Sequence, residues 1–247
     1  MLDDHLRNSG FSKHKMVYIR VINDVCQSFY IEKLHRGSKV RLCRVGFSVL
    51  PLAQRISKEQ IESGVGLYYL RKFERQDGES SEGWVYKLED GSIDSCAGEI
   101  SRYIADYLLP FFNRASDTKT ALSELIALEE LFYKNRTFYQ NLSSHDISEE
   151  LGLLDGTKYC LALKNKNFDY AKRCAIAILN QNVKAYESAK DYLSFESIFE
   201  RKQAICRLRC DIEHIESRDY NYFCRVFSEN EDFSRCSLKK YIVDRAL

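Results

Sequence analysis

The chain has the pattern of an α+β protein: an N-terminal antiparallel sheet covered by helices, followed by an all-α helical domain. Three observations predict this. Apolar residues alternate by twos over roughly the first third of the chain, and recur at spacings of three and four from residue 92 onward. Turn residues separate the alternating runs at short intervals, as hairpins require. No strand pattern recurs after about Asn135, which puts a boundary near residue 134, with an antiparallel α+β domain over 1–134 and a helical domain over 135–247.

Asp3 to Ser9 forms a short helix that Gly10 ends, because glycine takes a left-handed C-cap conformation without a Cβ clash. Val17, Ile19 and Val21 then alternate with Tyr18, Arg20 and Ile22, and Val25, Gln27, Phe29 and Ile31 with Cys26, Ser28, Tyr30 and Glu32. Between them Asn23-Asp24 makes a tight hairpin, since both residues tolerate positive φ. Arg36-Gly37-Ser38 is the next turn and Val40 to Leu50 the third strand, which Pro51 closes. Residues 52–63 are a short helix or loop, 65–73 a strand, 76–83 a polar loop and 84–86 a brief strand. The resulting sheet has one face available for helices.

From Ser92, the spacing of Ile100, Tyr103, Ile104, Tyr107 and Leu108 marks a helix that Pro110 stops, and another starts near Asp117 or Thr118. Further helices are expected near 146–151, 156–165, 168–193, 196–217, 219–228 and 234–246, and no strand after about Asn135. Asn167 is the N-cap of the helix that starts at 168. Ala162, Leu163, Phe168, Ala171 and Ala175 have the spacing of one tetratricopeptide-like hairpin, with no second copy at a fixed period.

A net charge of +1 argues against a generic polyanion binder. Nine cysteines, an odd number with no Cys-x-x-Cys, point to reduced thiols and a cytoplasmic location. The N-terminus lacks the apolar run of a signal peptide, and no stretch approaches the roughly 18 apolar residues that span a bilayer.

Enzyme motifs fail in turn: there is no dinucleotide fingerprint, Walker loop, nucleophile elbow or H-E-x-x-H, although spatially assembled sites need no such motif. Cys206, Cys210 and His214 lie one turn apart on a helix and spread over about 12 Å, too far for one metal ion, so they are expected to be buried thiols and an exposed histidine. No cofactor or metal is expected. Lys33, His35, Arg36, Lys39, Arg41 and Arg44 form a basic hairpin without an acidic residue from Lys33 to Arg44. It is a solvated edge, a contact for an acidic protein, or a phosphate contact. Arg20, Gln27, Arg71 and Trp84 fall on neighbouring strands and could line one exposed sheet face. The partner-binding set is therefore Arg20, Gln27, Arg36, Arg41, Arg71 and Trp84, weighed against ordinary outward polar residues and a core Trp84.

Gly10-Phe11, Lys13, Tyr18-x-Arg20, Gln27-Ser28, Trp84 and Leu109-Pro110-Phe111-Phe112 resemble the bacterial domain-of-unknown-function 4304 family over residues 10 to about 125. The resemblance implies a compact α+β domain of the bacterial cytoplasm, grouped at times with immunity and antitoxin-like proteins, and offers no catalytic residue to transfer. The expected function is a non-enzymatic protein-binding module of the immunity or antitoxin type that neutralises a toxin. The alternatives are an enzyme or ligand-binding protein with a pocket between the two domains, and a nucleic-acid binder using the basic hairpin.

Overall fold

A computed structural model describes residues 2–35, 39–64, 68–70, 84–87, 92–134, 156–190, 192 and 194–243. The expected turn at 36–38, the polar loop at 76–83 and the helix at 146–151 lie outside the described residues, as do Arg36 and Arg71.

The α+β architecture holds. Helix α1 (Leu2–Asn8) is followed by strands β1 (Ser12–His14), β2 (Val17–Ile22), β3 (Val25–His35) and β4 (Val40–Pro51), each antiparallel to the next. Strands β5 (Tyr68–Leu70) and β6 (Trp84–Lys87) share the outer edge of β4, against Val45–Phe47 and Val40–Cys43 respectively. Asn23 turns the β2–β3 hairpin at φ 52°, as its sequence signal predicts. Gly10 takes φ +83° after α1, where a Cβ would come within 2.9 Å of Val243.

Helix α3 (Ser92–Tyr103) does not stop at Pro110. It widens into a π turn over Ile104–Leu108, in which the Leu109 amide donates to Ile104 O, and continues as α4 (Leu109–Arg114). Pro110 thus stands near the start of the new helical segment, where a missing N–H costs least. Helix α5 (Thr118–Lys134) begins where Asp24, in the β2–β3 turn, accepts from the Thr118 amide at 3.0 Å and hydroxyl at 2.8 Å.

All six residues of β2 are buried, which corrects the expectation of a sheet with one face for helices. On one face Phe29 and Phe47 meet Phe112 of α4 at centroid separations of 6.3 and 6.1 Å. On the other, Ser28 and Ser48 are directly opposite and hydrogen-bonded at 2.7 Å, and Gly46 leaves room for the Tyr30 ring, 2.5 Å from where a Cβ would stand. On this second face Gly64, just after α2 (Lys58–Glu62), packs on the Tyr30 ring, and the end of the chain pairs along the edge of β2. Ser234 Oγ donates to Leu52 O and accepts from the Ile56 amide, both at 2.8 Å, and Val243 N donates to Val21 O at 3.0 Å.

The chain accordingly divides into Met1–Tyr139 with Asn230–Leu247, and Gln140–Glu229. The split of 1–134 from 135–247 misses this return of the C-terminus to the sheet. The helix expected at 234–246 ends instead at Ser237, followed by a 3-10 turn over Lys239–Tyr241 and a parallel bridge from Ile242 to Val21. Tyr241 and Lys240 fasten it: the Tyr241 hydroxyl donates to Glu62 Oε1, and Lys240 Nζ reaches the same oxygen at 2.6 Å. These two contacts hold the Glu62 carboxyl down at about 2.

The second unit is helical: α6 over 156–164, α7 (Phe168–Ala189), α8 (Phe195–Glu216) and the first turns of α9 (Tyr220–Ser237).

Candidate functional site

The three described sheet residues of the expected binding face are in the interior. Arg20 is 4 % exposed, Gln27 0 % and Trp84 1 %. Arg20 Nε donates to Gln27 Oε1 at 2.5 Å, and its two terminal nitrogens donate to Ser9 O at 2.7 Å and Asn113 Oδ1 at 2.9 Å. Its guanidinium stacks over Phe11 at 4.6 Å. Gln27 Nε2 in turn donates to Phe112 O and Ala115 O, at 2.6 and 2.8 Å. The pair knits α1, the β2–β3 hairpin and the end of α4 together, so it fastens the fold and offers a partner no surface. Trp84 packs edge-on against Tyr103 at 5.4 Å. Sequence alternation separates the faces of a strand but not a wet face from a covered one, and that is why the burial went unforeseen.

On the basic hairpin, Lys33 and Lys39 are exposed while Arg41 and Arg44 are half-buried, and Arg41 donates to its neighbour's carbonyl, Val40 O, at 3.1 Å. The hairpin and the buried pair therefore do not converge on one binding site among the described residues.

The helical unit contains a pattern that the sequence reading denied. The amides of Asn165, Lys166 and Asn167 donate to Leu161 O, Leu163 O and Ala162 O, and a shift of 52 residues carries each bond onto Ser217, Arg218 and Asp219 with Glu213 O, Ile215 O and His214 O. Both turns are Schellman caps, with Lys166 at φ 55° and Arg218 at φ 54° in the left-handed position usually held by glycine. Asn167 and Asp219 then cap the following helices by accepting from the Tyr170 and Tyr222 amides. Hairpin α6–α7 thus recurs as α8–α9. Only Tyr170 and Tyr222 are identical among the residues named at these turns, so the repeat lies in hydrogen bonding rather than in residue type. The two turns are linked through Lys172 to Glu216 at 2.8 Å, and Lys166 lies over the Tyr220 ring at 4.8 Å.

Between the hairpins, Asp211 accepts from the Tyr159 hydroxyl at 3.0 Å and the Tyr222 hydroxyl at 3.2 Å. Burial raises the Asp211 carboxyl against the pull of these donors. Burial also raises Tyr159 strongly and pushes Tyr222 up to about 12, so both hydroxyls stay protonated near neutrality. His214 stacks on Tyr222 at 3.7 Å with its Nδ1 3.1 Å from Asp219, and Cys210 Sγ lies 3.8 Å from the Tyr222 hydroxyl. Cys206 is exposed and Cys210 half-buried, correcting the expectation of buried thiols. His214 is half-buried rather than exposed. Among the described residues no three His, Cys, Asp or Glu side chains are placed to hold a metal ion.

The feature best suited to binding is apolar. Tyr192 is 90 % exposed, Phe195 84 % and Phe199 55 %, following one another around the connection from α7 to α8. Phe195 and Phe199 stand one turn apart on the same side of α8. Periodicity alone would assign such phenylalanines to a core, so their exposure is visible only in the structure. Comparison of the chain with protein-family models, with curated proteins and with solved structures finds no match.

Proposed function

We propose that this chain is a non-enzymatic protein-binding module whose contact surface lies on the helical hairpin α7–α8. The observation that carries the reading is the run of exposed aromatics Tyr192, Phe195 and Phe199. Burying a phenylalanine side chain is worth about 1.5–3 kcal/mol, so leaving two of them in water has a cost that a partner recovers. The Asp211 network supports the same reading, because it fixes the hairpins against each other and gives them a rigid face. Among the described residues no helix is long and apolar enough to cross a membrane.

Neutralisation of a toxin is the most concrete version of this function. It is motivated by the family resemblance and by the uneven charge, eleven Lys and Arg against five Asp and Glu in residues 1–60 and four against eight in residues 71–100. The test is affinity capture with the tagged full chain from its source cells, followed by co-expression with the product of the adjacent gene. A stoichiometric protein complex and rescue of growth are expected. Failure to capture any stoichiometric protein overturns the binding function, and capture without growth rescue overturns toxin neutralisation.

A further inference from the structure

The solvent-facing side of α8 continues beyond its two phenylalanines. Phe195, Phe199, Lys202, Cys206, Arg209 and Glu213 follow one another at steps of four and three, the spacing of a heptad seam, and all six are exposed. The row runs about 27 Å along the helix at 1.5 Å per residue. Its composition is polarised, with aromatic rings in the first turns, cations at Lys202 and Arg209, and a carboxylate at the far end.

The polarity selects the occupant. A second copy laid parallel on this row would place Lys202 on Lys202 and Arg209 on Arg209, and like charges at a seam repel. Laid antiparallel about the middle of the row, it would bury Glu213 against Phe195 and Arg209 against Phe199, stripping water from both charges. Nucleic acid fits poorly too. The row has two cations, and Glu196 and Glu200 beside the phenylalanines repel phosphate. The seam is complementary to a helix that is apolar at one end, acidic opposite Lys202 and Arg209, and uncharged or basic opposite Glu213.

Resting on the protein-binding function above, we propose that the outer row of α8 docks an amphipathic helix of another protein, whose apolar residues cover Phe195 and Phe199 and whose carboxylates face Lys202 and Arg209. Cys206, between the two cations, lies under the middle of the docked helix.

The test uses the full chain and a fluorescent, helix-favouring synthetic peptide of about 18 residues, or five turns. The peptide has leucine at the seam positions facing Phe195 and Phe199, glutamate at those facing Lys202 and Arg209, and glutamine opposite Glu213; a control replaces each glutamate with lysine. Anisotropy titration is expected to show the glutamate peptide binding at least about tenfold tighter than the control, a difference of one decade in Kd. K202E/R209E should reverse that order, and F195A/F199A should weaken both peptides, with thermal melts showing that each variant folds. Equal binding of the two peptides, undiminished binding by F195A/F199A, or tighter binding to single-stranded RNA or to anionic phosphatidylserine vesicles than to the glutamate peptide overturns the proposal. So does self-association in sedimentation that F195A/F199A abolishes. A captured cellular complex that survives all four substitutions overturns this docking row while leaving protein binding in place.

Discussion

The sheet unit and the helical unit differ in the groups they place at the extremes of burial. In the first, a guanidinium and a carboxamide, Arg20 and Gln27, are buried and hydrogen-bonded, while in the second Tyr192 and Phe195 stand in water. The sheet unit can bury this pair because the ends of α1 and α4 pack over its face and supply the backbone carbonyls of Ser9, Phe112 and Ala115 as acceptors. Among the described residues, α7 and α8 each keep an exposed stretch, and Tyr192, Phe195 and Phe199 lie on or beside it. A buried arginine is therefore a marker of fold, and the exposed phenylalanines are what the proposed contact surface rests on.

Breaking the sheet side of this comparison should have the largest effect. Phe112→Ala removes a fully buried ring from the aromatic cluster and should cost about 3–5 kcal/mol in urea unfolding. Arg20→Ala leaves Gln27 Oε1 and the Ser9 carbonyl without this donor inside the fold and should cost about 3 kcal/mol. Arg20→Lys should recover only part of this, because an ammonium cannot reproduce the planar fork.

The C-terminal strap sharpens the contrast through pH. The Glu62 carboxyl is held at about 2 by Lys240 and Tyr241, below its unfolded value of about 4.3. Its contribution is fully present above that unfolded value and is lost as pH falls through about 2. The stability difference between wild type and Glu62→Gln, measured from pH 6 to pH 2, should shrink along that interval; a constant difference would remove the carboxylate from the account.

The helical unit should respond with smaller changes. Lys166→Gly and Arg218→Gly, singly, relieve left-handed strain and should each stabilise by about 0.5–1 kcal/mol, provided the Schellman turns are retained. Phe195→Ala should change stability by less than about 0.5 kcal/mol, since the ring is already in water. A loss comparable to that of Phe112→Ala would mean Phe195 is core and would end its candidacy as a contact residue.

Much of the architecture was legible in the residues. Asn23-Asp24 announced the first hairpin, Gly10 the end of α1 and Asn167 the start of α7, because each depends on backbone freedom or a local side-chain bond. The burial of Arg20 and Gln27 and the exposure of the proposed contact residues were not legible. Arg20 and Gln27 alternate like surface residues, and only the packing of α4 onto their face makes them interior. Pro110 suggested a stop because a π turn has no simple residue signature. That the second helical hairpin repeats the turn of the first was missed because Lys166 and Arg218 occupy positions where glycine is the expected signal.

The sequence by itself determined the periods, and hence which segments are strands and which are helices, since each period is a property of the local backbone. Tertiary structure alone decided which side chains are covered: that residues 230–243 come back to the sheet, that two hairpins share one set of turn bonds, and that a row of α8 stays in solvent. Burial depends on what lies opposite a residue in space, and that neighbour is set by contacts between segments as far apart as Val21 and Ile242.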